Sequence, residues 1–160
     1  MNTDQHPVHL LLADMRSTHN VGSIFRTADA AGIQKIVLSG TTPTPLDRFN
    51  IPRTDVAKVA LGAEKTIPWE YSEDTVSVIK KYKKEGFQII ALEQSDRSVD
   101  YKAVALIQPA LIILGNEPKG IDQSILSYVD VIAEIPMKGE KESLNVSVAA
   151  GIFLFRVLNI

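Results

Sequence analysis

The chain has 160 residues, 45% of them hydrophobic and 22% charged, with a net charge of −2 and an isoelectric point near 5.9. That is the size and composition of one globular domain, and it excludes both a disordered chain and a strongly basic nucleic-acid binder, while leaving room for a local basic patch. There is no cysteine, which excludes disulfides and thiolate metal sites and fits a reducing compartment. The N-terminal MNTDQHP lacks a basic-then-apolar leader, and no apolar run approaches the ~18 residues that span a bilayer. The expectation is a cytoplasmic protein with no membrane partner.

In chain order, VHLLLAD (8–14) reads as a buried strand, and NVGSIFRTADAAG (20–32) as a helix. Asn20 suits its N-cap and Gly32 its stop, and Val21, Ile24, Phe25 and Ala28 repeat at i, i+3, i+4, i+7. KIVLSG (35–40) is a second strand and TTPTPLDRFNIP (41–52) a loop; RTDVAKVALGAEK (53–65) holds a short helix, and TIPWEY a short strand or turn. SEDTVSVIKKYKKEG (72–86) is a helix with acidic residues at its start and lysines at its end, as the helix dipole favours. FQIIALE (87–93), PALIILG (109–115) and DVIAEIP (130–136) are strands, DQSILSYV (122–129) a short helix, and 143–158 the last helix. The alternation predicts an α/β domain, a mostly parallel sheet with helices on both faces.

Ligands of such sheets bind beyond the carboxyl ends of the strands, and three loops there are unusual. In the first, ADMRSTHNVGSIFRTADAAG, a helical wheel places Arg26 nearly opposite the apolar stripe, beside Gly22, Ser23 and Ala30. Small neighbours would let another surface approach the guanidinium; the plain alternative is a solvated Arg26 paired with Asp29 at i+3. The second, LIILGNEPKGID, sets Glu117 between Gly115 and Gly120. It is not a phosphate loop, because Ile121 and Asp122 stand where Lys and Ser/Thr are required. The third, EIPMKGEKESLNVSVAAG, leads from Ile135 and Met137 into a helix beginning at Ser143-Leu144-Asn145. Ser143 alone would serve as the cap; Asn145, a middling helix former, is not explained that way. The three histidines, His6, His9 and His19, form no metal-ligand spacing, and no metal is expected.

Together the three loops resemble the SpoU family of RNA ribose methyltransferases, in the SPOUT superfamily. NVGSIFRTADAAGI carries the first motif with Asn20, Gly22, Arg26, Thr27 and Ala28; LGNEPKGI carries the second, Gly-x-Glu-x-x-Gly; IPMKGEKESLNVSVAAG carries the third. The resemblance covers essentially all of residues 1–160, in the family's order and spacing, and looks like a minimal single-domain form. Thr18 departs from a proline that the family often has there. The resemblance implies a deep trefoil knot over roughly residues 110–160, which general topology rules would not favour, and a homodimer with the active site near the interface. It implies bound S-adenosylmethionine, giving S-adenosylhomocysteine, with contacts from Leu92, Gly115, Ile135, Met137, Ser143 and Leu144. It assigns Arg26 to the ribose 2′-hydroxyl, with Asn20, Glu117, Ser143 and Asn145 completing the catalytic set.

A free guanidinium is a poor base, so Arg26 acts either as a base with a depressed pKa or as a stabiliser of alkoxide and phosphate charge. Arg16, Arg48, Arg53 and Lys58 lie in or near the first-motif and following loops and are the expected RNA contacts. The cluster Lys80, Lys81, Lys83 and Lys84 serves equally as a solvated helix end. The expected substrate is tRNA first and rRNA second. The competing readings are a non-catalytic RNA-binding protein on the same fold and a nucleotide-binding α/β domain; the missing phosphate and dinucleotide fingerprints weaken the latter.

Overall fold

Short aliphatic runs build the centre of the molecule. Val8–Ala13 (β1), Lys35–Ser39 (β2), Trp69–Ser72 (β3), Gln88–Leu92 (β4), Val99–Asp100 (β5), Ala110–Leu114 (β6) and Val131–Glu134 (β7) form one parallel sheet in the order β3-β2-β1-β6-β4-β7-β5. The computed structural model describes residues 7–116 and 119–160. β1 and β6 are buried on nearly every side chain, as strands covered on both faces must be.

The helices are Thr18–Ala30 (α1), Thr54–Ala60 (α2), Ala63–Thr66 (α3), Thr75–Lys84 (α4), Gln123–Leu126 (α5) and Val146–Val157 (α6). Alternate strand residues feed two cores. Leu10, Leu12, Ile36, Leu38, Ile90 and Ile112 pack with residues of α1, α2, α3 and α6 on one face. Leu11, Val37, Ile89, Leu111 and Ile113 pack with α4 and α5 on the other. The expected two-faced α/β architecture is present. Among the described residues, no helix is long and apolar enough to cross a membrane.

Several boundaries differ from the sequence reading. The N-cap of α1 is Ser17, whose hydroxyl accepts from the Asn20 backbone N–H at 3.1 Å; Asn20 lies inside the first turn and is buried. Residues 53–65 hold two helices rather than one, because Leu61 and Gly62 adopt left-handed backbone and end α2. β5 was not expected: a two-residue strand has no periodicity to see. α6 begins at Val146, so Ser143 precedes it and Asn145 is its N-cap.

Gly22 faces α2 rather than open space. A Cβ there would stand 2.7 Å from the Val56 carbonyl oxygen and 2.9 Å from Val59 Cβ. The missing side chain therefore sets how closely α1 and α2 approach, and does not clear ground beside Arg26.

Candidate functional site

β6, β4 and β7 are neighbours in the sheet, so the loops leaving their carboxyl ends converge. They enclose a cavity of about 580 Å³, within the range of sites for small organic ligands. Leu92 ends β4, Gly115 follows β6, Ile135 and Met137 follow β7, and Ser143 and Leu144 precede α6; all six line this cavity.

The wall also holds Glu93, Glu134 and Glu142, which sequence reasoning did not single out. Glu93 anchors the second loop: its carboxylate accepts from the backbone N–H of Ile121 and of Gln94, each at 2.8 Å. Gly120 has φ +70° and lies so close to this carboxylate that a Cβ would collide with it; only glycine meets both demands cheaply. At the rim, Gln94 Nε2 donates to the Glu142 carbonyl at 2.8 Å. Asn116 Oδ1 is buried in the wall with no hydrogen-bond partner among the described residues. An orphaned buried acceptor is costly unless a ligand donor satisfies it.

The third loop reaches the first through one side chain. Asn145 Oδ1 accepts from the backbone N–H of Ser147 (2.9 Å) and Val148 (3.3 Å), capping α6, while Asn145 Nδ2 donates to Asn20 Oδ1 at 3.1 Å. Capping thus explains Asn145, contrary to the sequence reading, and Ser143 is an exposed residue of the cavity wall.

Arg26 is exposed on α1 and is not part of the cavity wall. Among the described residues it makes no ion pair, and the Asp29 carboxylate instead accepts from the Thr66 hydroxyl at 3.0 Å. Its neighbour Thr27 lies against α6, with Cγ2 3.6 Å from where a Cβ on Gly151 would stand. On α6 itself, Val148, Ile152 and Phe155 are 50%, 39% and 40% exposed. Glu117 lies outside the described residues.

Of the expected RNA contacts, Arg16, Arg48 and Lys58 are exposed. Arg16 lines a small second cleft with Ser17 and Asn20. Arg53 is partly occupied: its Nε lies 3.6 Å from Asp55 Oδ1. The lysine cluster is structural in part, since Lys83 Nζ donates to the Tyr128 carbonyl at 2.9 Å and Lys80 lies over the Tyr128 ring. No group of three or more His, Cys, Asp or Glu among the described residues could hold a metal ion.

The SpoU rRNA Methylase family model matches residues 7–155. The chain belongs to this family. It is 32% identical over 152 residues to the 23S rRNA (guanosine-2′-O-)-methyltransferase RlmB of Pseudomonas aeruginosa, matching 95% of this chain and 58% of that one. An AdoMet-bound rRNA methyltransferase from Sinorhizobium meliloti superposes with a TM-score of 0.86 at 30% identity, covering 97% of this chain and 57% of that chain. A TrmH/SpoU tRNA modifying enzyme of A. aeolicus gives 0.83 at 29% identity, covering 97% and 75%. The chain spans a little under three fifths of the length of the curated relatives it matches. Within the SpoU family, the relatives' names thus cover both rRNA and tRNA.

Proposed function

We propose that this SpoU family member methylates RNA on a ribose 2′-hydroxyl using S-adenosylmethionine, with tRNA the first candidate substrate and rRNA the second. The observation that carries the reading is the single cavity lined by Leu92, Gly115, Ile135, Met137, Ser143 and Leu144 and joined to the first motif through Asn145 and Asn20.

The residues present fit the cofactor. Glu93, Glu134 and Glu142 make the wall anionic, which suits a ligand carrying sulfonium and ammonium charges. Asn116 Oδ1 offers an acceptor with no partner among the described residues, and Ile135 and Met137 bring the end of β7 to the cavity wall. When bound, S-adenosylmethionine supplies an electrophilic methyl group and leaves as S-adenosylhomocysteine.

The chain's own work is orientation and charge. Arg26, exposed and with no ion pair among the described residues, meets the RNA. Its guanidinium is a fork of donors with no acceptor. It stabilises negative charge developing on the hydroxyl oxygen, whose proton passes to solvent water as the methyl bond forms, and holds the adjoining phosphate. Asn20 and Asn145 fix the junction between the motifs, and Ser143 and Glu117 complete the set. Roughly residues 110–160 form the family's trefoil knot; in support, the loops after β6 and β7 and the start of α6 meet at this cavity. Two copies pair through the exposed Val148, Ile152 and Phe155 face of α6, with each active site near the interface. The enzyme acts in the cytoplasm, with its RNA.

The test is calorimetry with S-adenosylmethionine, followed by mass-spectrometric mapping of 2′-O-methylated nucleotides in tRNA and rRNA with and without the gene. Cofactor binding plus loss of a specific mark supports the reading. Binding of RNA with neither would indicate a non-catalytic RNA-binding protein.

A further inference from the structure

We propose that Phe49, with the Arg48 guanidinium over its ring, is a platform for an unpaired base of the RNA substrate; this rests on the reading of the chain as an RNA methyltransferase. The residues lie in the segment between β2 and α2, which the sequence presents only as a Pro- and Thr-rich loop.

Hydrogen bonds close that loop on itself. The Asp47 carboxylate accepts from the backbone N–H of Phe49 at 2.8 Å and of Ile51 at 3.0 Å. The backbone N–H of Asn50 donates to the Asp47 carbonyl at 2.9 Å, and that of Asp47 to the Ile51 carbonyl at 2.9 Å. Leu46 and Pro52 pair as an antiparallel bridge below. Much of the entropic cost of fixing the tip is therefore met before any ligand arrives.

What the loop holds out is a ring that the fold does not use. Phe49 is 67% exposed and belongs to neither core. The Arg48 guanidinium sits 4.8 Å from its centroid. A flat π surface with a cation against it matches a ligand that is itself flat and carries negative charge close by. Nucleotides are such ligands, and unpaired RNA bases stack on aromatic and guanidinium planes.

The location agrees. The loop leaves the carboxyl end of β2, the end of the parallel sheet at which the cavity opens. In the strand order, β2 is two places from β6 and three from β4, or about 10 and 14 Å at the usual strand spacing. Phe49 is not in the cavity wall, so the platform serves a nucleotide other than the methylated one.

The experiment measures binding of a labelled, unstructured oligouridylate by fluorescence anisotropy, methyl transfer to bulk tRNA, and cofactor affinity by calorimetry. Phe49→Ala and Phe49→Leu are expected to weaken oligouridylate binding about 5- to 100-fold, because one base–aromatic stack is lost, with cofactor affinity unchanged. Phe49→Trp is expected to restore binding. In a Trp69→Phe background, its fluorescence should be quenched by the oligonucleotide. Wild-type binding by Phe49→Ala overturns the platform, as does a change confined to sedimentation behaviour, which would mark a protein contact. If the unaltered protein neither binds nor methylates RNA, the enzyme reading falls and the platform with it. If it methylates and Phe49→Ala does so equally well, the platform falls alone.

Discussion

Asn145 Nδ2 donates to Asn20 Oδ1 across 3.1 Å, joining residues 125 positions apart. The other end of the same carboxamide caps α6. One side chain therefore starts the last helix and fastens it to the first, at the edge of the cavity. The two roles can be separated. Serine caps as well as asparagine but is too short to reach Asn20. Asn145→Ser should lose methyl transfer at least ~10-fold yet keep the cap, whereas Asn145→Ala should lose the same activity and a further ~1 kcal/mol of stability. A fully active Asn145→Ser protein would show that the bond to Asn20 does not matter to function.

Arg26 is exposed and makes no ion pair among the described residues, so its removal should not disturb folding. Arg26→Ala is expected to lower methyl transfer by about 100-fold or more, on the scale of losing one charge-stabilising donor. Its cofactor affinity by calorimetry should stay within a factor of a few. Near-normal turnover by this variant would remove Arg26 from the reaction.

Glu93 holds the second loop through the backbone N–H of Ile121. Glu93→Ala leaves that donor without its acceptor and frees the loop. The expectation is about 10-fold weaker S-adenosylmethionine binding, consistent with losing a charge-assisted hydrogen bond. Glu93→Gln retains an acceptor and should recover most of the affinity. Equal affinity in all three proteins would mean the anchor does not shape the cavity.

At Gly22, the contacts waiting for a side chain are a backbone carbonyl and a Cβ of α2, neither of which can swing aside. Gly22→Val should destabilise by about 1–3 kcal/mol through overpacking, read as a lower urea midpoint with unchanged slope. An unchanged midpoint would show that α2 yields freely.

His9 lies at the opposite end of the sheet, against Tyr82 and Phe87, with Nδ1 2.9 Å from the Tyr82 hydroxyl. Burial first, then Lys35, holds its pKa below the ordinary 6.5, with Glu70 and Glu85 pulling the other way. The Tyr82 hydroxyl is pushed up to about 12, chiefly by burial, and stays protonated. Above the unfolded pKa, His9 is neutral in both states and stability is unaffected. Below it, the unfolded chain takes up the proton first, so native stability falls until the native pKa is passed. Urea midpoints measured downward from pH 7.5 should decline more steeply in the unaltered protein than in His9→Gln. Parallel profiles would refute the assignment.

The strands of the central sheet were legible because their aliphatic runs are unbroken, as at Leu10–Leu12 and Leu111–Leu114. Two capping errors have one cause. Ser17 and Asn20 are both good caps, as are Ser143 and Asn145, and hydrophobic periodicity fixes a helix face but not its first residue. The cavity became visible in the sequence only through the family resemblance, since no local pattern brings Leu92, Gly115, Ile135 and Ser143 together. Glu93 left one weak signal: a carboxylate immediately after a buried strand, on the ligand side of a parallel sheet. Gly22 left none, because its constraint comes from α2, more than thirty residues further on.

The position of β6 has a consequence for how the chain comes together. It fills the slot between β1 and β4, yet it is made after both. During synthesis, β1 can pair with β2 and then β3, but β4 has no neighbour until residues 110–114 arrive. Until then β1 and β4 each keep an unpaired strand edge where β6 will go. Filling that place joins strands about a hundred residues apart, the kind of non-local step that slows folding and exposes the intermediate to aggregation.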